Sequence, residues 1–382
     1  MGILFKIKRR VLWQLFSLLP KDMNKVVLTS FYGRGYSDSP RAIAEELLRR
    51  KDYKLYWTVK GQAEADSLPQ DITPLRLNSA REIYHACTAG FWIDNSRKWS
   101  FVCKRGRQFY IQTWHGFPLK RIEKDAGSAL PPEYIKSARH DSAMSDLFLS
   151  DSRFLSDIYR SGFWYSGEIL EEGLPRNDIL KNPPAGVEEK VRAALHIPEN
   201  RRMMLYAPTF RRDCGLDVYD IDYTRCTGAL KARFGGDWII LAKLHPNIAA
   251  KAGQLNLDGV HVLNASDYPD IHELYIACSA MITDYSSTMF DFMITGKPCF
   301  LYVNDVDAYK NDRNFYFDLD RLPFGRAVDN DSLDMLIRTF DQTVQDRRRE
   351  VFMDDFGIRE TGRAAAAAAD KMDKIRAERT KA

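Results

Sequence analysis

The stretch Trp238-Ile239-Ile240-Leu241-Ala242-Lys243-Leu244-His245-Pro246 shows the pattern that decides the fold. Its apolar run is typical of a buried strand, and Pro246 stops a strand because it cannot donate to the ladder. Alternate residues of an extended chain point to the same side, so Lys243 and His245 are expected to share one face. The stretch predicts a buried strand with cationic groups at its end. A strand end with a solvated lysine is the alternative.

The same pattern recurs along the chain, because short β-rich runs alternate with helical stretches. Such alternation is typical of parallel, doubly wound sheets. We therefore expect an α/β protein with two Rossmann-like domains facing a cleft, with ligands beyond the carboxyl ends of the strands. The predicted strands cover residues 26–31, 54–59, 90–94, 108–113, 146–150, 168–172, 203–207, 238–242, 260–263, 280–283 and 298–302.

A polar break at residues 181–186, which contains two prolines and a glycine, predicts a domain boundary. We expect an N-terminal Rossmann-like domain over residues 1–184 and a C-terminal Rossmann-like domain over residues 185–345. The remaining residues, 346–382, form a predicted helical segment. It contains an alanine run at residues 364–369, which strongly favours helix.

Composition excludes several classes of protein. The 382 residues carry a formal net charge of only +4, which argues against a nucleic-acid partner. The six cysteines stand alone, without metal-site spacing, as expected of reduced thiols in the cytoplasm. The Gly33-Arg34-Gly35 turn lacks the third glycine of a dinucleotide fingerprint, so we expect no cofactor.

The N-terminal segment is basic and apolar. An apolar run from Val11 to Leu19 is too short to span a bilayer, and four basic residues precede it: Lys6, Lys8, Arg9 and Arg10. As an amphipathic helix it would lie on an anionic membrane surface. The alternative is a first helix that packs on the domain core. The sequence predicts a peripheral protein at the cytoplasmic face of the membrane.

Residues 112–120, Gln-Thr-Trp-His-Gly-Phe-Pro-Leu-Lys, follow a predicted strand. His115 lies on the turn, and Gly116 permits close approach of a ligand. A histidine in this position suits acid–base chemistry near neutral pH. A structural histidine that hydrogen-bonds the turn is the alternative.

Three further segments offer groups that bind anions. Thr283-Asp284-Tyr285-Ser286-Ser287 ends a strand, and we expect a helix to begin near Ser286 or Ser287 with its free N–H groups facing a phosphate. Asp284 as a simple helix cap is the alternative. Thr209 and Arg211 follow another strand, and Arg176-Asn177-Asp178 lies near the predicted boundary. Arginine grips phosphate through two hydrogen bonds, although a surface turn explains any single arginine.

Together these segments resemble the CDP-glycerol glycerophosphotransferase family, the teichoic acid primases and polymerases. The family's boxes occur in order over nearly the whole chain: HGxxxK at residues 115–120, GxPRND at 173–178, YAPTxR at 206–211, KLHP at 243–246 and TDYSS at 283–287. Phe117, Leu174 and Phe210 depart from the commoner residues. Phe117, which follows His115 closely, puts the identity of the acceptor in question more than the reaction.

The resemblance implies a GT-B fold and transfer of glycerol phosphate, or a related alditol phosphate, from CDP-glycerol to a hydroxyl of a teichoic-acid-like or capsular polymer, with release of CMP. The acceptor is lipid-linked or a glycan, and no metal is required. The first domain would hold the acceptor and the second the CDP donor. His115 and His245 would be catalytic. The implied substrate-binding residues are Lys120, Arg176, Asn177, Asp178, Thr209, Arg211, Lys243, Thr283, Asp284, Ser286 and Ser287.

Two other functions fit parts of the pattern. A GT-B glycosyltransferase that uses a nucleotide sugar would share the fold and the phosphate site. A catalytically inactive module that binds a surface polymer is the second alternative, but such a module has no need of both His115 and His245.

Overall fold

The computed structural model describes residues 3–209, 211, 219, 221–244, 257, 259–305 and 314–381. The chain forms two compact units. Unit 1 contains Met1–His115, Ile122–Asp178 and Gly357–Ala382, and unit 2 contains Gly116–Arg121 and Ile179–Phe356. The first boundary falls at Asp178 rather than at 184, and residues 116–121 belong to unit 2. The predicted helical segment is divided, because its last part returns to unit 1.

Unit 1 is built on a seven-stranded sheet with the order β3-β2-β1-β4-β5-β6-β7, and each pair is parallel. The strands are β1 (Asp22–Thr29), β2 (Lys54–Val59), β3 (Ile72–Arg76), β4 (Ala89–Asp94), β5 (Phe109–Gln112), β6 (Leu147–Ser150) and β7 (Glu168–Glu171). The first helices are α1 (Ile3–Phe16), α2 (Asp38–Arg50), α3 (Gln62–Asp66), α4 (Ala80–Thr88), α5 (Pro132–Met144), α6 (Arg153–Ser161) and α7 (Asp178–Lys181).

Unit 2 is built on a six-stranded sheet with the order β10-β9-β8-β11-β12-β13, again with parallel pairs. The strands are β8 (Arg201–Tyr206), β9 (Asp237–Ala242), β10 (Val262–Asn264), β11 (Ala280–Thr283), β12 (Cys299–Tyr302) and β13 (Gly325–Ala327). The other helices are α8 (Val187–Leu195), α9 (Tyr223–Phe234), α10 (Ile271–Ala277), α11 (Thr288–Met293), α12 (Asn330–Arg338), α13 (Gln342–Phe356) and, in unit 1, α14 (Ala364–Lys381).

The predicted α/β class with two parallel sheets is confirmed, and each of the eleven predicted strands overlaps an observed one. The sequence pattern does not predict β3 and β13, which are the strands at one edge of each sheet. β3 contains Pro74, which is tolerated at a sheet edge but argues against a strand in sequence. β13 has only three residues, too few for an alternating pattern.

The C-terminal helix α14 completes the core of unit 1. Ala368, Ala369 and Met372 are fully buried in a cluster with the apolar residues of β1, β2 and β4. The carboxylate of Asp178 caps this helix, since it accepts hydrogen bonds from the backbone N–H groups of Ala364 (2.9 Å) and Ala365 (2.8 Å). The alanine run therefore forms the predicted helix, and it serves the first unit rather than a separate segment.

No helix in the part of the chain that the structure describes has the length and apolarity needed to cross a bilayer.

Candidate functional site

His115 lies two residues beyond Thr113, just after the carboxyl end of β5 in unit 1. The turn that presents it is unusual, because Trp114 has a left-handed backbone with φ 52°. The side-chain oxygen of Gln112 holds this turn by accepting a hydrogen bond from the Trp114 N–H at 2.9 Å. The indole of Trp114 then stacks on the imidazole, with ring centroids 4.0 Å apart. The side chain of His115 is exposed, so a substrate can reach it.

One hydrogen bond fixes the chemistry of the ring. Nδ1 of His115 lies 2.8 Å from the backbone carbonyl oxygen of Asn95. A carbonyl only accepts, so Nδ1 carries the proton and Nε2 of the neutral ring carries the lone pair. Nε2 is therefore the atom of His115 that can take a proton from a substrate hydroxyl.

The surroundings of His115 keep the ring neutral. The ring is reachable from solvent, but protein atoms crowd it, and this loss of water lowers the pKa of His115 below its usual value of 6.5. The hydrogen bond to Asn95 opposes that shift. The nearby charges of Asp38 and Arg176 act in opposite directions on the same pKa. The lowered pKa suits a general base, because the base must be unprotonated before it acts.

Asn95 organises this region, and the sequence analysis did not identify it. Besides the carbonyl that holds His115, its side-chain oxygen accepts a hydrogen bond from the Phe31 N–H at 2.8 Å, and the residue is fully buried. Phe31 and Tyr32 have φ values of 43° and 59°, a left-handed backbone that is costly for large side chains. The strained turn places the Phe31 ring 5.9 Å from that of His115. No local motif marks Asn95, because its role depends on three strand ends meeting.

The GxPRND box builds the framework of unit 1. Arg176 is buried and forms an ion pair with Asp38 at 3.1 Å. Asn177 is buried and donates a hydrogen bond to Glu360 at 2.7 Å, and Asp178 caps α14. The sequence predicts that Arg176, Asn177 and Asp178 bind substrate. Each has a protein partner in the structure, so their contact with substrate stays a prediction.

In unit 2, Asp284 clamps the segment that follows β8. Its carboxylate accepts hydrogen bonds from the backbone N–H of Thr209 at 3.0 and 2.9 Å and from the Thr209 hydroxyl at 2.6 Å, and it forms an ion pair with Arg211. The Thr283 hydroxyl donates to the carbonyl of Ala207 at 2.7 Å. Strands β8 and β11 are parallel neighbours, so the YAPTxR and TDYSS boxes meet at the carboxyl ends of these two strands.

The positive charge of Arg211 is balanced by neighbouring carboxylates. Its guanidinium is buried, is paired with Asp284, and makes a two-pronged contact with Asp305 at 2.8 and 3.1 Å. Burial pushes the pKa of Asp305 upward, but the hydrogen bonds and charge of Arg211 outweigh that effect and hold it below its usual value. The sequence predicts that Arg211 binds phosphate. In the structure two carboxylates already balance its charge.

Ser286 and Ser287 are half-exposed at the same edge. Helix α11 begins at Thr288, one residue later than predicted, and Ser287 occupies the N-cap position without a capping hydrogen bond from its side chain. The Ser286 oxygen lies 2.9 Å from the Thr288 hydroxyl. Asp284 does not cap this helix, because its carboxylate is directed to Thr209 and Arg211.

The KLHP box is only partly described. The ammonium of Lys243 donates hydrogen bonds to the carbonyls of Ser266 and Tyr268, each at 2.6 Å, and burial lowers its pKa. Lys243 therefore holds the loop after β10 in this structure, although it was predicted as a counter-charge. His245 lies outside the described residues.

The HGxxxK box crosses from one unit to the other after His115. Lys120 is half-buried and pairs through its backbone with Phe315. The side chain of Phe117 is buried in an aromatic cluster of unit 2, with its ring 4.5 Å from Phe290 and 5.8 Å from Phe356. Phe117 thus has a packing role, which accounts for this departure from the family pattern. Leu174 is likewise buried, and Phe210 lies outside the described residues.

Among the described residues, no group of three or more His, Cys, Asp or Glu side chains could hold a metal ion. A cavity of about 870 Å³ in unit 2 lies between β13 and α13, and arginines 321, 326, 347 and 348 contribute to its lining. None of the predicted site residues lines it, and Arg321 and Arg326 are paired with Asp355 and Asp320. This cavity is separate from the strand ends that carry the motifs.

Both units are built on parallel sheets, and their strand ends carry a neutral histidine in unit 1 and hydroxyl groups in unit 2. The family model for CDP-glycerol:poly(glycerophosphate) glycerophosphotransferases matches residues 11–371. The chain belongs to this family, and the resemblance inferred from the five boxes is confirmed.

Individual relatives agree with this assignment. The chain is 32% identical to a teichoic acid poly(glycerol phosphate) polymerase of Staphylococcus epidermidis, over 94% of the chain and 52% of the relative. It is 30% identical to a teichoic acid glycerol-phosphate transferase of Staphylococcus aureus, over 94% and 96%. A variant of the wall teichoic acid polymerase TagF soaked with CDPG superimposes with a TM-score of 0.85 at 28% identity, covering 98% of this chain and 95% of that one. The chain spans about half the length of two of its curated relatives.

Substitution of Arg211 separates a framework role from a contact with substrate. Arg211→Ala removes the cation that pairs with the buried Asp284 and the half-buried Asp305, so we expect a loss of about 3–5 kcal/mol in the free energy of unfolding, measured by denaturant titration. The control is Arg225→Ala, which breaks an exposed ion pair with Asp331 in the same unit and should change stability little. Unchanged stability in Arg211→Ala, with weaker donor binding, would contradict the framework role.

Proposed function

We propose that this protein transfers glycerol phosphate, or a related alditol phosphate, from CDP-glycerol to a hydroxyl of a teichoic-acid-like or capsular cell-surface polymer and releases CMP. The observation that carries the proposal is the neutral His115 ring, with its lone pair on Nε2, at a strand end of a chain that belongs to this family. The acceptor in the proposal is lipid-linked or a glycan. A glycosyltransferase that uses a nucleotide sugar remains the competing function.

The reaction requires a base and a means of stabilising the leaving group. In the proposal, an acceptor hydroxyl attacks the phosphorus that carries the alditol, and Nε2 of His115 accepts the hydroxyl proton. The bond from that phosphorus to the bridging oxygen breaks, and CMP leaves with the electron pair. His245 is assigned to the leaving phosphate, as proton donor or as stabilising charge.

The donor pyrophosphate is assigned to the segment after β11. Ser286 and Ser287 are half-exposed there, and hydroxyls together with backbone N–H groups bind phosphate oxygens. Asp284, Thr209 and Arg211 support this assignment indirectly, because their mutual hydrogen bonds fix the backbone beside the two serines. Lys120 and Lys243 remain candidates for contact with the phosphates, and Lys243 would have to exchange its carbonyl partners for them.

Donor identity is the first test of the function. The purified protein, with a lipid-linked acceptor, should release CMP from CDP-glycerol and release no nucleotide from UDP-sugars. CDP-ribitol in the same assay tests the choice of alditol.

The proposed chemistry uses histidines and fixed hydrogen-bond donors, so activity should survive exhaustive treatment with EDTA.

Two results of this assay would contradict the proposal. Release of nucleotide from a UDP-sugar alone would establish the competing glycosyltransferase. Complete loss of activity in EDTA, restored by magnesium or manganese, would show that a metal supplies the charge stabilisation.

Replacement of His115 tests the base. His115→Ala should lower kcat by about 10²–10⁴-fold, the usual contribution of a general base, without loss of the folded state. In the wild type, the rate should fall as pH drops through the pKa of His115, which lies below 6.5, and this group should not limit the rate at higher pH.

The matched control is His196→Asn, because His196 is exposed and has the left-handed backbone that asparagine tolerates. Near-normal turnover in folded His115→Ala would remove His115 from the mechanism.

We also propose that α1 attaches the protein to the anionic cytoplasmic surface of the membrane. The helix has two different faces: Trp13 and Arg9 are buried, whereas Ile7, Val11 and Leu15 are 47–57% exposed. These three residues follow one another at intervals of four, so they form one apolar stripe on the helix surface. Leu18 continues the stripe and is 76% exposed.

Charges beside the stripe favour an anionic surface. Lys8 and Arg10 are exposed, and each basic residue near such a surface contributes about 1 kcal/mol of attraction. Arg9 points inward, and the side chain of Lys6 lies outside the described residues. The two alternatives from the sequence thus coexist on one helix, since the inner face packs on the core while the outer face offers apolar side chains to lipid.

Vesicle sedimentation tests the attachment. The triple variant Val11→Gln, Leu15→Gln, Leu18→Gln should stay in the supernatant with anionic vesicles, whereas the wild type should pellet and be partly released by salt. Removal of the whole segment is a poor test, because it takes Trp13 out of the core. The control variant Val328→Gln, Met335→Gln, Val344→Gln removes exposed apolar side chains from unit 2 and should pellet like the wild type. Equal pelleting of both triple variants would assign the contact to another surface.

A further inference from the structure

A small cavity lies under the inner face of α1 in unit 1. Its volume is about 60 Å³, and its lining includes Arg9 and Trp13 from the helix. Thr29, Thr58 and Asp94, at or next to the carboxyl ends of β1, β2 and β4, also line it. One water needs roughly 10–15 Å³ on this measure, so the cavity has room for several linked polar groups.

Glu82 and Arg97 each contribute to the lining a buried polar atom that is unsatisfied within the described part of the chain. Oε2 of Glu82 has no hydrogen-bond partner there, and neither has Nε of Arg97. The other nitrogens of Arg97 are engaged, with Asp141 at 3.1 Å and Glu123 at 3.0 Å, so the side chain is held in place while Nε–H remains available. Buried polar groups normally have a hydrogen-bond partner, because a buried group without a hydrogen bond is costly.

The unsatisfied pair defines the ligand's chemistry. Oε2 of Glu82 can accept a hydrogen bond and Nε–H of Arg97 can donate one, and a single hydroxyl group can donate to the first and accept from the second. The walls contain the aromatic rings of Trp13, Trp92, Trp99 and Tyr32, which suit the C–H face of a polyol or sugar. Trp99 is 56% exposed, so it can meet a ligand without disturbance of the core.

We propose that this cavity is a binding site for one polyol unit of the acceptor, with its hydroxyls between Glu82 and Arg97 and its carbon face against Trp99. The choice of the acceptor over another polyol rests on the proposed function. The loop after β4 links the cavity to the base, because Asp94 and Arg97 line the cavity while Asn95 between them holds His115. The inner face of helix α1 contributes Arg9 and Trp13 to the cavity, and its apolar stripe faces outward. The polyol of a lipid-linked acceptor would therefore lie at the inner face of α1 and the membrane at its outer face.

The probe for this site is a synthetic phosphodiester of two glycerol units, and its binding to the full chain is measured by saturation-transfer NMR. Glu82→Gln and Trp99→Ala should each weaken binding, the first by about tenfold, as expected for the loss of one hydrogen bond in a buried site. The control Glu171→Gln alters an exposed glutamate of the same unit and should bind like the wild type. Both test variants should raise KM for the acceptor and leave acceptor-independent release of CMP from CDP-glycerol unchanged.

The outcomes separate this site from the proposed function. Wild-type affinity for the probe in folded Glu82→Gln and folded Trp99→Ala would overturn the site, as would a crystal soaked with the probe that shows only water in the cavity. Failure of the wild type to release CMP from CDP-glycerol, with probe binding that still depends on Glu82 and Trp99, would instead refute the proposed donor and leave the polyol site in place.

Discussion

Parallel pairing of the strands is the constraint on which the rest of this structure depends. Because neighbouring strands run the same way, the residues that follow them meet at one edge of each sheet. Gln112 and Asn95, which follow β5 and β4, therefore meet at His115, and Thr209 meets Asp284 after β8 and β11. Residues far apart in sequence become hydrogen-bond partners through this geometry alone. The strained turn at Phe31 is possible for the same reason, since Asn95 is near enough to hold it.

Several motif residues act as framework rather than as evident contacts for a ligand. Arg211, Arg176 and Lys243 looked alike in sequence, as positive groups after strands, yet each has protein acceptors in the structure. Burying a charge is costly unless it is paired, so these residues are tightly coupled to their partners. A sequence motif of this family can thus serve to hold the backbone of a site rather than to contact a ligand. His115, Ser286 and Ser287 differ from them, because they remain exposed or half-exposed.

The sequence predicted the strands well where burial repeats over several residues, as in β2 and β11, whose observed bounds match the predicted ranges. It failed at the sheet edges, where Pro74 and the short β13 remove the pattern. The two histidines could be selected because their residue type and position imply chemistry. Asn95 could not, because its role depends on contacts across the fold, and the packing of Phe117 depends on aromatic residues more than 170 positions away.

Because unit 1 contains both early and late parts of the chain, the order of synthesis affects when its core can be completed. The core of unit 1 includes Ala368, Ala369 and Met372, which a ribosome adds only after all of unit 2. The first sheet therefore gains α14 only after residues 179–356 have been made, although α2 can already cover part of the same face. During that interval the apolar side chains that only α14 covers are exposed, and a chaperone that shields such surface would act at this stage. Of the two units of this chain, unit 1 is therefore the one that begins first and is completed last.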